Sequence, residues 1–486
     1  MNNPKATTSS GSIPDLVKIK PLTTNQTIDV QTSILDPIIK NETHVRFQFD
    51  NKGILHSNSK LQFSLNCADG KRRFHPFING IGSVVKRCVL LAGSKTIAEV
   101  EDWNAFHAFK SMFLSNEAKK EREQVLTGRV GTYEYDYETA DGSSLTATKV
   151  QFDVGNEKNG TATVLPDTLN IDNKPTFQIN LSDLFPFLKH TQLPLYLMKD
   201  QLSVEIHFAD AENRYFAEHA NWFTEAVNTT AKATTQLAKI KGVRDEAFTF
   251  DHTKTKFIAD YLLYPQDQMD NYQKQIETSG LTIPYFDYLL TKSTVTPAAD
   301  NKVTFTRVLG GANRICTRLI IANTAETRDL GTNDGGDRVT DKLSLTAIDN
   351  IYNSQFPASD IELQLKYNDR NLFPRPIKST AELFSFVQAS EGVPPFILKE
   401  EWDGTRSSSI TTDTLEGYDL NAELKYAPKH YYAVKLNRGE RVNSRGVELE
   451  MNMTMAANTP AMTQRAWLEV AKIITLKDGR MTCKEA

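Results

Sequence analysis

The chain has 486 residues, 40% of them hydrophobic and 24% charged, with a formal net charge of −4. This is a globular composition, long enough for two large β domains or about three domains of ordinary size. It excludes a uniformly basic nucleic-acid-binding surface, and no run of about 18 apolar residues supplies a transmembrane helix.

Residues 1–27 are rich in Thr, Ser, Asn and Pro, lack an apolar period, and are expected to form a flexible arm. Their opening, MNNPKATTSSGSIPDLVKIK, has no apolar h-region, so no secretory signal peptide is expected. Beyond the arm the dominant signal is alternation of period two. Val45, Phe47 and Phe49 alternate with Arg46, Gln48 and Asp50, and Leu61, Phe63 and Leu65 with Gln62, Ser64 and Asn66. The same pattern returns at Val204/Ile206/Phe208, Val303/Phe305, Ile361/Leu363/Leu365 and Val447/Leu449/Met451/Met453. Each segment predicts a strand with one wet and one dry face, as antiparallel sheets require.

Helical signals are few. Residues 101–124 place Trp103, Phe106, Phe109 or Lys110, and Phe113 near helical spacing ahead of a charged tail. Residues 268–278 predict a short connecting helix, and 213–240 a further helical segment. Strands do not alternate with helices, which excludes a doubly wound α/β enzyme. Turn-rich stretches at 127–175, 324–342 and 390–425 are long for loops in a compact domain and are expected at a functional surface.

The two halves echo one another. TIDVQTSILDPI, HVRFQFD and GIGSVVKRCVLLAG are followed in the second half by LTIPYFDYLLTKSTV, KVTFTRV and LGGANRICTRLIIAN. Later, TFQINL, QLSVEIHF and KTKFIADYLLYP answer to YYAVKLN, RGVELEMNM and QRAWLEVAKIITL. This pairing places Cys88 and Cys316 in comparable strands. Duplication of one β domain explains the order. An all-β chain of two tandem eight-stranded jelly-roll sandwiches, with a few short helices in loops, fits it. The boundaries expected are an arm at 1–27, a first jelly roll at 28–267 with a long insertion at 209–254 between its last two strands, a linker at 268–280, and a second jelly roll at 281–486.

Motifs for chemistry are sparse. Ala92-Gly93-Ser94-Lys95-Thr96 lacks the earlier Gly of a phosphate loop and suits a strand–turn–strand. GxGxxG, HExxH and GxSxG are absent, and no two of the nine His residues are spaced i, i+4. Asp329, Asp334 and Asp337 lack calcium-loop spacing and read as a solvated loop. Glu400/Glu401 and Glu448/Glu450 read as exposed faces, although such pairs also serve glycosidases. Lys71, Arg72 and Arg73, with Lys86 and Arg87, form the densest basic cluster, which faces DNA or a neighbour, or is a solvated turn. The aromatic set from Trp103 to Phe113 is either a contact surface or helix-on-barrel core. Cys67, Cys88, Cys316 and Cys483 make no disulfide framework and are expected as free thiols. The sequons at Asn25, Asn41, Asn159, Asn180, Asn228 and Asn452 are read as chance. No catalytic, cofactor-binding or metal-ligating residue is assigned, and no cofactor is expected.

Two segments carry a resemblance. FINGIGSVVKRCVLLAGSKTIAEVEDWNAFHAF, with Gly80, Gly82, Gly93, Ile97, Glu99 and Trp103, places a Gly-rich turn, a strand and an aromatic-rich helix in order. FPFLKHTQLPLYLMKDQLSVEIHF sets an F-P stretch before a strongly alternating strand. Together they resemble the double jelly-roll major capsid proteins of Polinton-like viruses, virophages and large eukaryotic DNA viruses, over about residues 28–486. The resemblance implies a non-enzymatic structural subunit whose homotrimers form pseudo-hexagonal capsomers of an icosahedral shell. It implies neighbouring capsomers, penton and minor capsid proteins as partners, and packaged double-stranded DNA enclosed without sequence-specific binding. The site would be the virion, after synthesis in the host cytosol. A two-sandwich carbohydrate-binding protein or glycoside hydrolase is the alternative.

Overall fold

The computed structural model describes residues 28–66, 72–74, 80–114, 132–138, 144–153, 176–209, 217–219, 249–250, 253–296, 298–325, 361–395, 431–436, 439–454 and 462–486. Eight strands build a first sandwich: β1 (Asp29–Leu35), β2 (His44–Gln48), β3 (Lys60–Asn66), β4 (Val85–Ala92), β5 (Lys95–Glu101), β6 (Thr176–Asn180), β7 (Leu202–Phe208) and β8 (Lys256–Leu263). Eight more build the second: β9 (Leu281–Val295), β10 (Lys302–Val308), β11 (Cys316–Ala325), β12 (Ile361–Tyr367), β13 (Arg370–Asn371), β14 (Tyr432–Lys435), β15 (Glu448–Thr454) and β16 (Met462–Lys477). A last strand, β17 (Arg480–Glu485), folds back on the far end of β16.

The pairings give both halves one topology. In the first, β1–β8–β3–β6 form one sheet, to which the short strands Ile54–Leu55, Leu193–Pro194 and Thr249–Phe250 add, and β2–β7–β4–β5 form the other, edged by Ile39–Lys40 beside β2. In the second the sheets run β9–β16–β11–β14 and β10–β15–β12–β13. Subtracting eight from each label turns the second set into the first. This interleaved order, all antiparallel, is a jelly roll. The stretches 127–175, 209–254 and 390–425 fall between β5 and β6, β7 and β8, and β13 and β14, the connections a jelly roll gathers at one end; 324–342 runs from the end of β11 into the β11–β12 connection. Most of these residues lie outside those described.

Alternation explains why the sheets close. Val45, Phe47, Val204, Ile206, Leu61 and Phe63 turn inward and are fully buried. Phe257 of β8 meets Phe47 and Phe49 from the opposite sheet at ring-centroid distances of 5.5 and 5.0 Å. In the second sandwich Leu363, Leu365, Leu449, Met451 and Met453 face Leu319, Ile321 and Leu468, all fully buried. Gln464 of β16 reaches Met451 Sδ across that interior at 3.9 Å, so the even-numbered residues of β16 face inward.

Three α-helices of nine residues or more accompany the sheets among the described residues. The segment expected at 101–124 forms α1 (Trp103–Ser111), shorter than expected within the described residues. The connecting helix is α2 (Gln266–Ser279), ended by Gly280 at φ 74°. The 213–240 expectation lies mostly outside the described residues, which show only a three-residue strand at Ala217–His219. A third helix, α3 (Thr380–Glu391), was not foreseen, although Ser379 and Glu382 spell a capping box and Gly392 follows its end. Ser379 Oγ accepts from the Glu382 amide at 3.2 Å.

One part of the internal echo needs correction. Cys88 lies in β4 and Cys316 in β11, which occupy opposite sheets of their sandwiches. The counterpart of β11 is β3, the LQFSLN strand. A Gly-containing turn entering an apolar strand occurs at more than one place in such a fold, so composition paired the wrong strands. The remaining echoes, for β1, β2, β6, β7 and β8, match their counterparts.

Candidate functional site

The place where distant sequence converges is the seam between the two sandwiches. It lies on the outer face of the β9–β16–β11 sheet. The odd-numbered residues Arg465, Trp467 and Glu469 point there, opposite Lys292, Leu290 and Tyr288. Helix α1 of the first sandwich covers this face. Phe106 packs at a tilt on Tyr288 and Trp467 with ring centroids 4.4 and 5.9 Å away, and Phe109 meets Tyr431 at 5.4 Å. Trp467 Nε1 donates to the Glu101 carbonyl at 3.0 Å, and Tyr431 hydroxyl to that of Ala105 at 3.4 Å.

Charge surrounds this aromatic centre. Asp102 enters α1 in the left-handed region at φ 46°. Its buried carboxylate accepts from Lys292 Nζ and Arg465 Nε, each at 2.7 Å. Burial alone would raise this carboxyl, but Arg465 and Lys292 outweigh it and hold Asp102 below its ordinary range. At the other end of α1, Lys110 Nζ bonds Glu391 of α3 at 2.9 Å. Arg318 bridges Glu391 and Glu469. Glu469 also accepts from the Tyr288 hydroxyl at 2.8 Å and Thr317 Oγ1 at 2.7 Å. Burial raises the Glu469 carboxyl too, yet Arg318, Thr317 and Lys110 pull it below the usual range. Burial and the Arg318 charge bring Lys110 down to about 8, against the pull of Glu391 and Glu469.

A second line of contacts joins β5 to β9. The Tyr285 hydroxyl donates to the Ile97 carbonyl, and the Glu99 amide to Asp287 Oδ1 at 3.2 Å. Phe187 packs on Tyr285 at 4.8 Å. Farther along, the Lys199 amide donates to the Gly479 carbonyl in the β16–β17 turn at 2.7 Å. The chemistry of this set is cohesion. Each seam carboxylate is matched to a cation, and the aromatic rings are packed rather than lining a groove.

The sequence-derived candidates fall in varied places. Trp103, Phe106 and Phe109 are buried, so the aromatic set is helix-on-barrel core: Phe106 and Phe109 pack on the second sandwich, while Trp103 donates to the Asp183 carbonyl of the first. Gly93 makes the β4–β5 turn at φ 60°. Glu448 and Glu450 lie on β15, where Glu450 pairs with Lys366 at 3.2 Å. Arg87 pairs with Glu99 on the adjacent strand, and Arg72 and Arg73 lie in a short strand paired to Ala217–His219. Lys71, Asp329, Asp334, Asp337, Glu400, Glu401 and Cys67 lie outside the described residues. Cys88, Cys316 and Cys483 are free thiols. Among the described residues no group of three or more His, Cys, Asp or Glu is placed to hold a metal ion. Asp102, Lys292, Arg465, Arg318 and Glu469 were missed, for no local motif marks residues whose partners lie 73 to 363 positions away.

No protein-family model matches the chain, and no curated protein matches it by sequence. Solved structures do match. The VP54 protein of PBCV-1, as fitted into a reconstruction of the virophage Sputnik, aligns with a TM-score of 0.53 at 10% identity, covering 96% of this chain and 99% of that one. A chain of the Sputnik virophage cryo-EM structure aligns at 0.53 and 12% identity, covering 96% and 90%. The fold is the double jelly roll of viral major capsid proteins. The Faustovirus major capsid protein shares the double jelly roll at a TM-score of 0.51 and 8% identity, covering 94% of this chain and 91% of that one. Two jelly rolls joined through a covered sheet face thus extend over nearly the whole chain.

Proposed function

We propose that this chain is a non-enzymatic major capsid protein. Three copies form a pseudo-hexagonal capsomer, and capsomers tile the icosahedral shell of a double-stranded DNA virus. The observation that carries the reading is the repetition of one eight-strand order twice in one chain, with the copies fixed side by side by a buried seam. Duplication turns a threefold ring into a pseudo-sixfold one, which suits hexagonal tiling. The likeness to capsid proteins supports a virion location and contacts with neighbouring capsomers. Penton and minor capsid proteins complete the shell, which encloses DNA without reading its sequence. In this reading residues 1–27 form an arm, 28–267 and 281–486 the two jelly rolls, and 268–280 the linker.

Native mass by light scattering tests it. A species of three chains that resists dilution, and shells seen by electron microscopy at high concentration, are the expected results. A stable single chain would overturn the capsomer.

A further inference from the structure

Two histidines far apart in the sequence meet on the outer face of the first sandwich. His44 opens β2 and His207 lies opposite it on β7. Their rings stack with centroids 5.3 Å apart and planes at 15°. Phe208 follows at the end of β7, where its amide donates to the Thr43 carbonyl at 2.8 Å. The pair therefore sits where the β1–β2 turn meets the start of the β7–β8 connection.

The contacts of both rings suit the uncharged form. Asn41 Oδ1 accepts from the Thr43 amide at 3.0 Å, the Thr43 hydroxyl at 2.8 Å and the His44 amide at 2.7 Å. Those three donors fix the orientation of the Asn41 amide, so its Nδ2 faces His44 Nδ1 at 3.1 Å as a donor. His44 Nδ1 is then the acceptor, which requires the ring without a proton there. A proton on that nitrogen sets donor against donor and breaks the tie between turn and ring. His207 Nε2 is shielded from solvent and has no hydrogen-bond partner among the described residues. Glu205 Oε2 lies 3.6 Å from it, beyond hydrogen-bond reach.

The carboxylates beside the pair are already matched. Arg87 of β4 flanks His207 and pairs with Glu99 of β5. Arg46 of β2 pairs with Glu205 at 3.3 Å. Lys40 and Glu42 in the β1–β2 turn, Lys86 on β4, and Glu101 opposite Arg87 on β5 are the further charged groups at this end among the described residues. A protonated imidazole adds a third cation to Arg46 and Arg87 and lies against the second ring. Burial, Arg87 and His44 together hold His207 below the ordinary histidine range, against the pull of Glu205.

We propose that His44 and His207 form an acid-sensitive latch: uncharged, the stacked pair holds the β1–β2 turn against the end of β7, and protonated, it lets that turn go. The folded value of His207 is lowered, so the stability it contributes is complete above the unfolded value of about 6.5 and is lost as pH falls through the folded value. The loss from Asp102 and Glu469 begins only near the ordinary carboxyl values of about 4, so the latch yields at a higher pH than the seam.

Hydrogen exchange of the full-length chain, read by mass spectrometry and corrected for the intrinsic pH dependence of exchange, tests the latch from about pH 8 to about pH 5, the range in which histidine changes charge. The expected result is a fall of at least about fivefold in the protection of residues 41–48, the lower end of ordinary coupling between sites, with the β9–β16 ribbon unchanged. In the double variant His44→Asn/His207→Gln neutral amides replace both rings, and the first keeps an acceptor for Asn41. Its turn is expected to stay protected across the same range. Unchanged protection of 41–48 in the wild-type chain overturns the latch. An undiminished fall in the double variant assigns the response to other groups and also overturns it, as does a fall shared by the β9–β16 ribbon, which would make the response global. Should the double variant not fold, His207→Gln alone decides: a reduced fall supports the latch, and an undiminished one overturns it.

Discussion

The interior of each sandwich and the seam between them are both buried, yet they are built from different chemistry. Phe47, Phe49 and Phe257, or Leu449, Met451 and Leu365, fill the interiors with apolar side chains. The seam puts Phe106, Tyr288 and Trp467 at its centre and rings them with Asp102, Arg465, Lys292, Lys110, Glu391, Arg318 and Glu469. Apolar burial has no direction, whereas a buried ion pair is tolerated in one geometry and is costly in others. The difference teaches that each sandwich is held shut by area, while their mutual angle is fixed by charge.

The sharpest test removes the aromatic centre. Trp467→Ala is expected to cost about 3–5 kcal/mol, as much as a large core truncation such as Phe47→Ala, measured by urea unfolding. A loss below about 1 kcal/mol would show the halves to be energetically separate. Next comes the charge. Asp102→Ala leaves Arg465 buried without its carboxylate and is expected to destabilise by about 3 kcal/mol. A double-mutant cycle with Arg465→Met should return a coupling of about 1–3 kcal/mol; additive losses would remove the pair from the account.

Acid offers a graded version of the same test. Asp102 and Glu469 titrate below their ordinary range in the folded chain, because their cations outweigh burial. Their contribution is therefore complete above the unfolded carboxyl values of about 4, and is lost as pH falls through the folded values. Lys110 acts in the same sense at the alkaline end: with its ammonium brought down to about 8, stability rises with pH from there toward the unfolded value of about 10.5. Urea midpoints across pH should fall more steeply on the acid side for wild type than for Asp102→Asn, and identical acid limbs would contradict this. The smallest effect is expected away from the seam centre. Ser379→Ala removes the α3 cap and should cost about 1 kcal/mol. Hydrogen exchange should localise the loss to α3; a loss shared by the β9–β16 sheet would instead make the helix part of the joint.

The sequence carried the strands well because a half-wet sheet writes its faces at every second residue, as at Val45/Phe47 and Leu449/Met451. It carried the duplication through the order of segments, but paired Cys88 with Cys316 because a glycine turn before an apolar strand is not specific to one position. Helix α3 was legible in Ser379, Glu382 and Gly392 and went unread beside the turn-rich segment that follows. The aromatic side of the seam showed in the helical spacing of Phe106 and Phe109, but its charges were not legible. Asp102 and Arg465 are 363 positions apart, and each alone resembles an ordinary surface charge. Only the fold places them together.

Strands β9 and β16 stay in register over fifteen consecutive residue pairs, from Leu281–Leu476 to Val295–Met462. Alternate residues of β16 answer to different neighbours: Gln464, Ala466 and Leu468 to the second interior, and Arg465, Trp467 and Glu469 to the first sandwich. A slip of one residue would exchange the two sets, driving three polar or bulky groups inward and presenting Leu468 to α1. A misaligned ribbon would then have no surface that the first sandwich accepts. Joining the two halves thus acts as a proofreading step, in which a chain that has paired its longest strands wrongly is denied the finished subunit.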